Sequence, residues 1–164
     1  MEDIKRIMVV SRMDKTAIKA FHYGVSAARQ TGAELFLMHA VWNPFGFSLE
    51  SWNWPALPVG NIEDEYKKYI EKAKEKLHHM VLDEHNRGGI KINELVVEGE
   101  PTEEIIKTVK EKKIDLLFLS AHPENRMEHM LLHTLFGRST DKLIRELPCS
   151  IFLVKYEPGQ HIAL

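Results

Sequence analysis

The sequence predicts an α/β domain, a five-stranded parallel sheet with helices on both faces, wound in both directions from its centre. Two observations predict it. Five short apolar runs are separated by segments with helical spacing: Ile7 to Val10, Glu34 to Val41, Ile92 to Val97, Asp115 to Leu119 and Ser150 to Val154. Several of these runs are nearly continuous Ile, Val, Leu, Met and Phe with little alternation, the pattern of parallel strands covered on both faces. Strand and helix alternating through one domain imply right-handed crossovers and a doubly wound sheet.

The elements follow in order. After the first strand, Ala17, Ala20, Phe21, Gly24 and Ala28 fall on one helical stripe that stops at Thr31-Gly32. The second strand leads into an aromatic insertion, residues 42–61, and then a long charged helix whose stripe is Ile62, Tyr66, Tyr69, Ile70, Ala73 and Leu77. Past the third strand, Pro101-Thr102-Glu103-Glu104 places a cap and two acids ahead of Ile105, Ile106 and Val109, favourable to the positive end of a helix dipole. A fourth helix starts near Gly137, runs through Leu143 and Ile144, and ends at Pro148 before the last strand.

Composition narrows the function. The 164 residues are read as one domain, 44% hydrophobic and 28% charged. With 22 Lys plus Arg against 24 Asp plus Glu, a formal net charge of -2 gives no global attraction to nucleic acid or anionic membrane. The lone cysteine, Cys149, excludes an internal disulfide and a multi-cysteine metal site and fits a reducing compartment. No apolar stretch approaches the roughly 20 residues of a membrane span, and the N-terminus lacks a cleavage pattern, so the expectation is a cytoplasmic protein.

Ligands of doubly wound sheets bind beyond the carboxyl ends of the strands, where the winding reverses. Those ends are Ser11 to Asp14, Val41 to Asn43, and Ser120 to Glu124.

With the strands placed, the chain resembles the universal stress protein family over nearly its whole length. Three segments carry the resemblance: KRIMVVSRMDKTAIKAFHYGVSAARQTGAELFLMHAV, VVEGEPTEEIIKTVKEKKIDLLFLSAH and FGRSTDKLIRELPCSIFLVK. In the second, Gly99, Pro101, Ile105 and Asp115 fall where the family pattern has them. The resemblance implies the universal stress protein fold, of adenine nucleotide alpha hydrolase type, an adenine nucleotide (ATP or AMP) as ligand, and a homodimer joined through the last strand, here Ser150 to Lys155. An exposed edge strand as apolar as Ser150 to Val154 needs a cover, which gives dimer pairing a physical motive of its own.

Nucleotide-binding members of that family carry a glycine motif after the fourth strand: Gly, two residues, Gly, nine residues, then Gly-Ser or Gly-Thr. Small residues there let backbone N–H groups close around phosphates at a helix start. This chain departs from the pattern. Ser120 and Pro123 stand at the first two glycine positions, and 13 residues separate Pro123 from Gly137. Proline has no N–H to donate. Arg138 follows Gly137, displacing the hydroxyls to Ser139 and Thr140, and Arg12 stands where adenine-ribose binders place Asp, with Asp14 two residues on.

The candidate cleft therefore draws Val10, Ser11, Arg12 and Asp14 from the first strand and its turn, and His39 and Val41 from the second strand. The altered loop 120–136 brings Ser120, Ala121, His122 and Arg126, and the last helix brings Gly137, Arg138, Ser139 and Thr140. On the family's precedent Val41 lies against an adenine, and His122 contacts ligand or organises its loop. Arg12, Arg126 and Arg138 form an anion site if they converge on the helix start; otherwise they are solvated or pair with Asp14, Glu124 and Glu128. His39 reads equally well as a packed, hydrogen-bonded residue.

Other constellations carry less. Glu128, His129 and His133 with His122 have metal-ligand chemistry but no fixed partner set, and the segment reads more simply as an amphipathic lid, so no metal is expected. Residues 42–61 hold all 3 tryptophans, two phenylalanines and three of the 7 prolines, a composition suited to a lid or to a partner surface running from Trp42 to Trp54. No paired carboxylates, nucleophile elbow or Cys-His pair stands out. The leading expectation is a stress-response regulatory module that binds an adenine nucleotide or phosphate-like anion weakly at the strand-end cleft; a nucleotide-independent interaction module using the Trp-rich loop comes second, and a very slow ATP hydrolase third.

Overall fold

The computed structural model describes residues 3–13, 15–41, 59–120 and 139–155, without the side chains of 59–63, 85–86 and 139–141. The elements are β1 (Arg6–Val10), α1 (Lys15–Thr31), β2 (Glu34–Val41), α2 (Val59–Arg87), β3 (Ile92–Glu98), α3 (Pro101–Lys112), β4 (Leu116–Ser120), α4 (Ser139–Glu146) and β5 (Ser150–Val154). All five strands pair in parallel in the order β3-β2-β1-β4-β5. The chain winds from β1 to one side through β2 and β3, then crosses to the other through β4 and β5, so the winding reverses between β1 and β4.

Each face of the sheet has its own core. On one, Ile7, Val9, Leu35, Leu37 and Phe118 pack with Ala20, Phe21, Val25 and Ala28 of α1 and with Leu77 and Val81 of α2. On the other, Met8, Val10, Phe36, Met38 and Leu117 pack with Ile105, Ile106 and Val109 of α3 and with Leu143 of α4. Alternate residues of the central strands thus serve opposite cores, which is why those strands are apolar throughout. Gly24 lets α1 lie close to β1: a Cβ there would sit 2.4 Å from Val9 Cγ2.

Asp115 fixes the amino edge. Its Oδ2 accepts from the backbone N–H groups of Lys5 (2.9 Å) and Arg6 (2.8 Å), and its own N–H donates to the Arg6 carbonyl at 2.9 Å. A carboxylate accepting two backbone N–H groups is a strong, charge-assisted clamp, here joining the starts of β1 and β4. It also explains why the fourth strand begins at Leu116, one residue later than the apolar run suggests.

Two local expectations are corrected. Tyr69 lies off the buried stripe of α2, 52% exposed, because the buried positions Ile70, Ala73, Leu77 and Val81 recur at spacings of three and four and leave Tyr69 on the flank. The cap of α3 is Glu100, whose side chain accepts from the Glu103 N–H, with Pro101 at the first helical position. Residue 99 matters for its backbone: Gly99 has φ 152°, its N–H donates to the Val41 carbonyl at 2.9 Å, and a Cβ would come within 2.8 Å of Glu104 Cγ. Ile62 lies outside the described side chains.

Candidate functional site

Parallel pairing brings the ends of β1, β2 and β4 to one edge of the sheet. Val10 pairs with Met38 and Val9 with Phe118, and the Ser11 N–H donates to the Met38 carbonyl at 2.7 Å. One residue further, Ser11 stands level with His39 on one side and Ser120 on the other; His39 in turn pairs with Val96, and Ser120 with Val154. Two residues beyond Val9, Leu37 and Phe118, these three side chains belong to the face covered by α1 and α2. A polar row, His39–Ser11–Ser120, therefore caps the apolar core at the point where the winding reverses.

The hydrogen bonds of this row define its chemistry. His39 is buried, and its Nδ1 lies 2.7 Å from the Ser11 carbonyl oxygen. A carbonyl only accepts, so Nδ1 carries the proton and, in the neutral ring, Nε2 is a bare acceptor. Burial pushes the imidazole below its ordinary value against the opposing pull of that carbonyl, and Lys76 of α2 adds to the downward shift. Ser11 Oγ accepts from the Met13 N–H at 3.1 Å, and Met13 adopts a left-handed φ of 59°. His39 Nε2 and Ser120 Oγ are buried without a hydrogen-bond partner among the described residues. Buried polar atoms left so are rare in folded proteins and ask for a donor or acceptor from elsewhere.

Beside the row, Val41 at the end of β2 pairs with Glu98 at the end of β3. Glu98 accepts from the hydroxyl of Tyr66 on α2 at 3.1 Å, and burial together with that carboxylate pushes the phenol up to about 12. Sequence reasoning missed this pair, since neither residue carries a recognisable motif.

The residues expected at the cleft divide by where the fold puts them. Ser11, His39, Val41 and Ser120 converge on the carboxyl edge. Val10 does not present its side chain there: it points into the core shared with α3 and α4. It reaches the edge only through its backbone, because strand residues alternate. Arg12 is exposed at the mouth. Asp14, Ala121, His122, Arg126, Gly137 and Arg138 lie outside the described residues, as do the Trp42 to Trp54 segment and the Glu128, His129 and His133 cluster. Ser139 and Thr140 open α4, with their side chains outside the description. Among the described residues no group of three or more His, Cys, Asp and Glu is arranged to hold a metal ion. Cys149 is half-buried, and burial with the nearby Asp115 pushes its thiol up to about 11, away from nucleophilic chemistry.

A sequence profile of the universal stress protein family matches residues 3–155. The chain belongs to the universal stress protein family. Among curated relatives of this universal stress protein is the Methanocaldococcus jannaschii universal stress protein MJ0531, 24% identical over 154 residues, covering 92% of this chain and 82% of that one. Among solved structures, MJ0577, also from M. jannaschii, superposes with a TM-score of 0.70 at 20% identity, covering 96% of this chain and 99% of that one. A universal stress protein in complex with cAMP superposes with a TM-score of 0.62 at 15% identity, covering 95% and 100%. At these identities the structural likeness establishes the fold of the universal stress protein described above. No helix among its described residues is long and apolar enough to cross a membrane.

Proposed function

We propose that this universal stress protein is a single-domain regulatory module that binds an adenine nucleotide, or the phosphate-like anion such a nucleotide carries, in the crevice between the ends of β1 and β4. The observation that carries the reading is the polar row at the point where the winding reverses, with His39 Nε2 and Ser120 Oγ unpartnered among the described residues, within a fold whose ligands enter at that edge. The cAMP bound by a structural neighbour supports an adenine nucleotide as the ligand class. α4, which packs on the opposite face, precedes the parallel strand β5 and so starts toward the same carboxyl edge, where its free N–H groups suit a phosphate. Arg12, Arg126 and Arg138 are the cations this reading assigns to the anion, and the cytoplasm is the compartment that fits one unreactive thiol.

The module acts as a homodimer through β5. That strand lies at the edge of the sheet, and Phe152 (46% exposed) and Leu153 (57%) present apolar side chains on its two faces, with Ile144 of α4 nearby in sequence and 63% exposed. An apolar edge strand left open invites pairing with another chain, and a second copy satisfies it.

The deciding experiment is equilibrium binding of AMP, ATP, cyclic AMP and inorganic phosphate to the purified protein. Binding of the adenine nucleotides below millimolar concentration, weakened by Arg12→Ala, is the expected result. Absence of binding at millimolar ligand removes the nucleotide reading and leaves the fold untouched.

A further inference from the structure

The turn from β1 into α1 is held by two side-chain hydrogen bonds and a strained backbone. His39 Nδ1 donates to the Ser11 carbonyl at 2.7 Å, and Ser11 Oγ accepts from the Met13 N–H at 3.1 Å. The Ser11 carbonyl belongs to the peptide that leads into Arg12, so anchoring it sets the plane in which the chain leaves the sheet. Met13 at φ 59° is uncommon for a residue with a long side chain and persists only where its surroundings hold it.

We propose that His39 is the positioning residue of this crevice: its ring, fixed on the Ser11 carbonyl, sets the conformation in which Ser11, Arg12 and Met13 meet a bound nucleotide. The ligand in this proposal is taken from the nucleotide reading above; the geometry is independent of it. The anchor works with a neutral ring. Protonation adds a second N–H at Nε2, a buried atom with no partner among the described residues, and a positive charge where burial already disfavours one.

The carboxylates on the same face of β3, Glu94 and Glu98, are engaged by His78 and Tyr66 of α2, and neither is among the groups that act on the ring. The charged group acting on the ring is Lys76 of α2, of the same sign. The register neighbour on β3 is Val96 and that on β1 is Ser11, while α1 turns Ala17, Ala20 and Phe21 inward near its start. The residues that α3 buries, Thr102, Ile105, Ile106, Thr108 and Val109, are not titratable and pack on the opposite face. Proton uptake therefore drives the ring from its seat, releases the Ser11 carbonyl and loosens the turn. Ligand affinity falls with it.

The test compares wild type, His39→Asn and His39→Leu from pH 8 to pH 5. Asparagine keeps an N–H donor near the position of Nδ1 and does not titrate; leucine keeps volume and removes the donor. Cyclic AMP is the probe, since its phosphodiester does not change charge in this range. Amide chemical shifts of Arg12 and Met13 in ligand-free protein are followed in parallel. Wild type should lose about tenfold in affinity on acidification, His39→Asn should bind more tightly than His39→Leu at pH 8 and remain flat, and His39→Leu should bind about tenfold more weakly than wild type at pH 8, the scale of one lost hydrogen bond. The Met13 amide should shift in His39→Leu and titrate in wild type only.

A folded His39→Leu protein with wild-type Met13 shift, or a His39→Asn protein that titrates like wild type, overturns the proposal. Should His39→Leu fail to fold, the pH profile of His39→Asn decides. Should wild type bind no cyclic AMP at any pH, the nucleotide reading fails, and the titration of the Arg12 and Met13 amides still decides the role of His39.

Discussion

Glu84 on α2 accepts from Arg29 on α1 at 2.8 Å while remaining only 3% exposed, and Arg87 joins from one turn away at 3.1 Å. The two helices covering one face of the sheet are thus tied by a buried carboxylate whose cations lie at the surface. Removing the carboxylate should cost about 1.5–3 kcal/mol, the range for hydrogen bonds to charged groups, discounted toward the lower end because Arg29 is 40% exposed. Urea unfolding of Glu84→Ala, Arg29→Ala and the double variant checks this. A coupling below about 0.3 kcal/mol would show that the pair contributes nothing beyond packing.

Close approach of α1 to β1 yields a second expectation. Gly24→Ala places a Cβ 2.4 Å from Val9 Cγ2, a branched side chain at 0% exposure with nowhere to move. Overpacking of this kind costs about 1–3 kcal/mol. The thermal midpoint of the variant should fall, and Val9→Ala in the same background should restore part of the loss.

Burial of His39 makes stability depend on pH with a defined sign. Its folded-state value lies below the ordinary 6.5, so as pH falls through 6.5 the unfolded chain takes up the proton first. The stability carried by the neutral ring is complete above about 6.5 and is lost as pH falls through the folded-state value. The urea midpoint of wild type should therefore drop more between pH 7.5 and pH 5 than that of His39→Asn. Equal drops would show that carboxylates elsewhere account for the acid sensitivity.

At the open edge, Leu153→Lys should split the proposed homodimer while leaving the monomer folded, since Leu153 is 57% exposed in the isolated chain. Sedimentation equilibrium of wild type and variant, with circular dichroism as the folding control, reads both. Phe152 is less suitable for substitution because its ring packs on Phe118 (centroids 5.0 Å apart) and Tyr23 (5.9 Å), so changing it mixes loss of pairing with loss of core.

Much of the fold was legible because hydrophobic patterning is a local signal. Runs such as Ile7 to Val10 and Asp115 to Leu119 declare strands buried on both faces, and the stripe Ala17, Ala20, Phe21, Gly24 and Ala28 declares the face that α1 buries. Tyr69 was misassigned for a related reason: at the flank of a stripe, spacing alone does not tell an inward aromatic from an exposed one. The candidate site was less legible. Ser11, His39 and Ser120 could be named as strand ends, but nothing in their spacing tells that the His39 ring bonds the Ser11 carbonyl, or that Met13 turns left-handed behind it.

The sequence by itself determined the strands, the helices between them, the parallel doubly wound class and the family, because each follows from short-range periodicity or from motifs read along the chain. Only the tertiary structure decided which polar side chains share a row across β2, β1 and β4, which of their atoms are left without partners, and where Glu84 and Asp115 spend their charge. Those relationships join residues 28 to 110 positions apart, and their energies depend on distance, angle and burial, quantities that exist only once the chain has closed on itself.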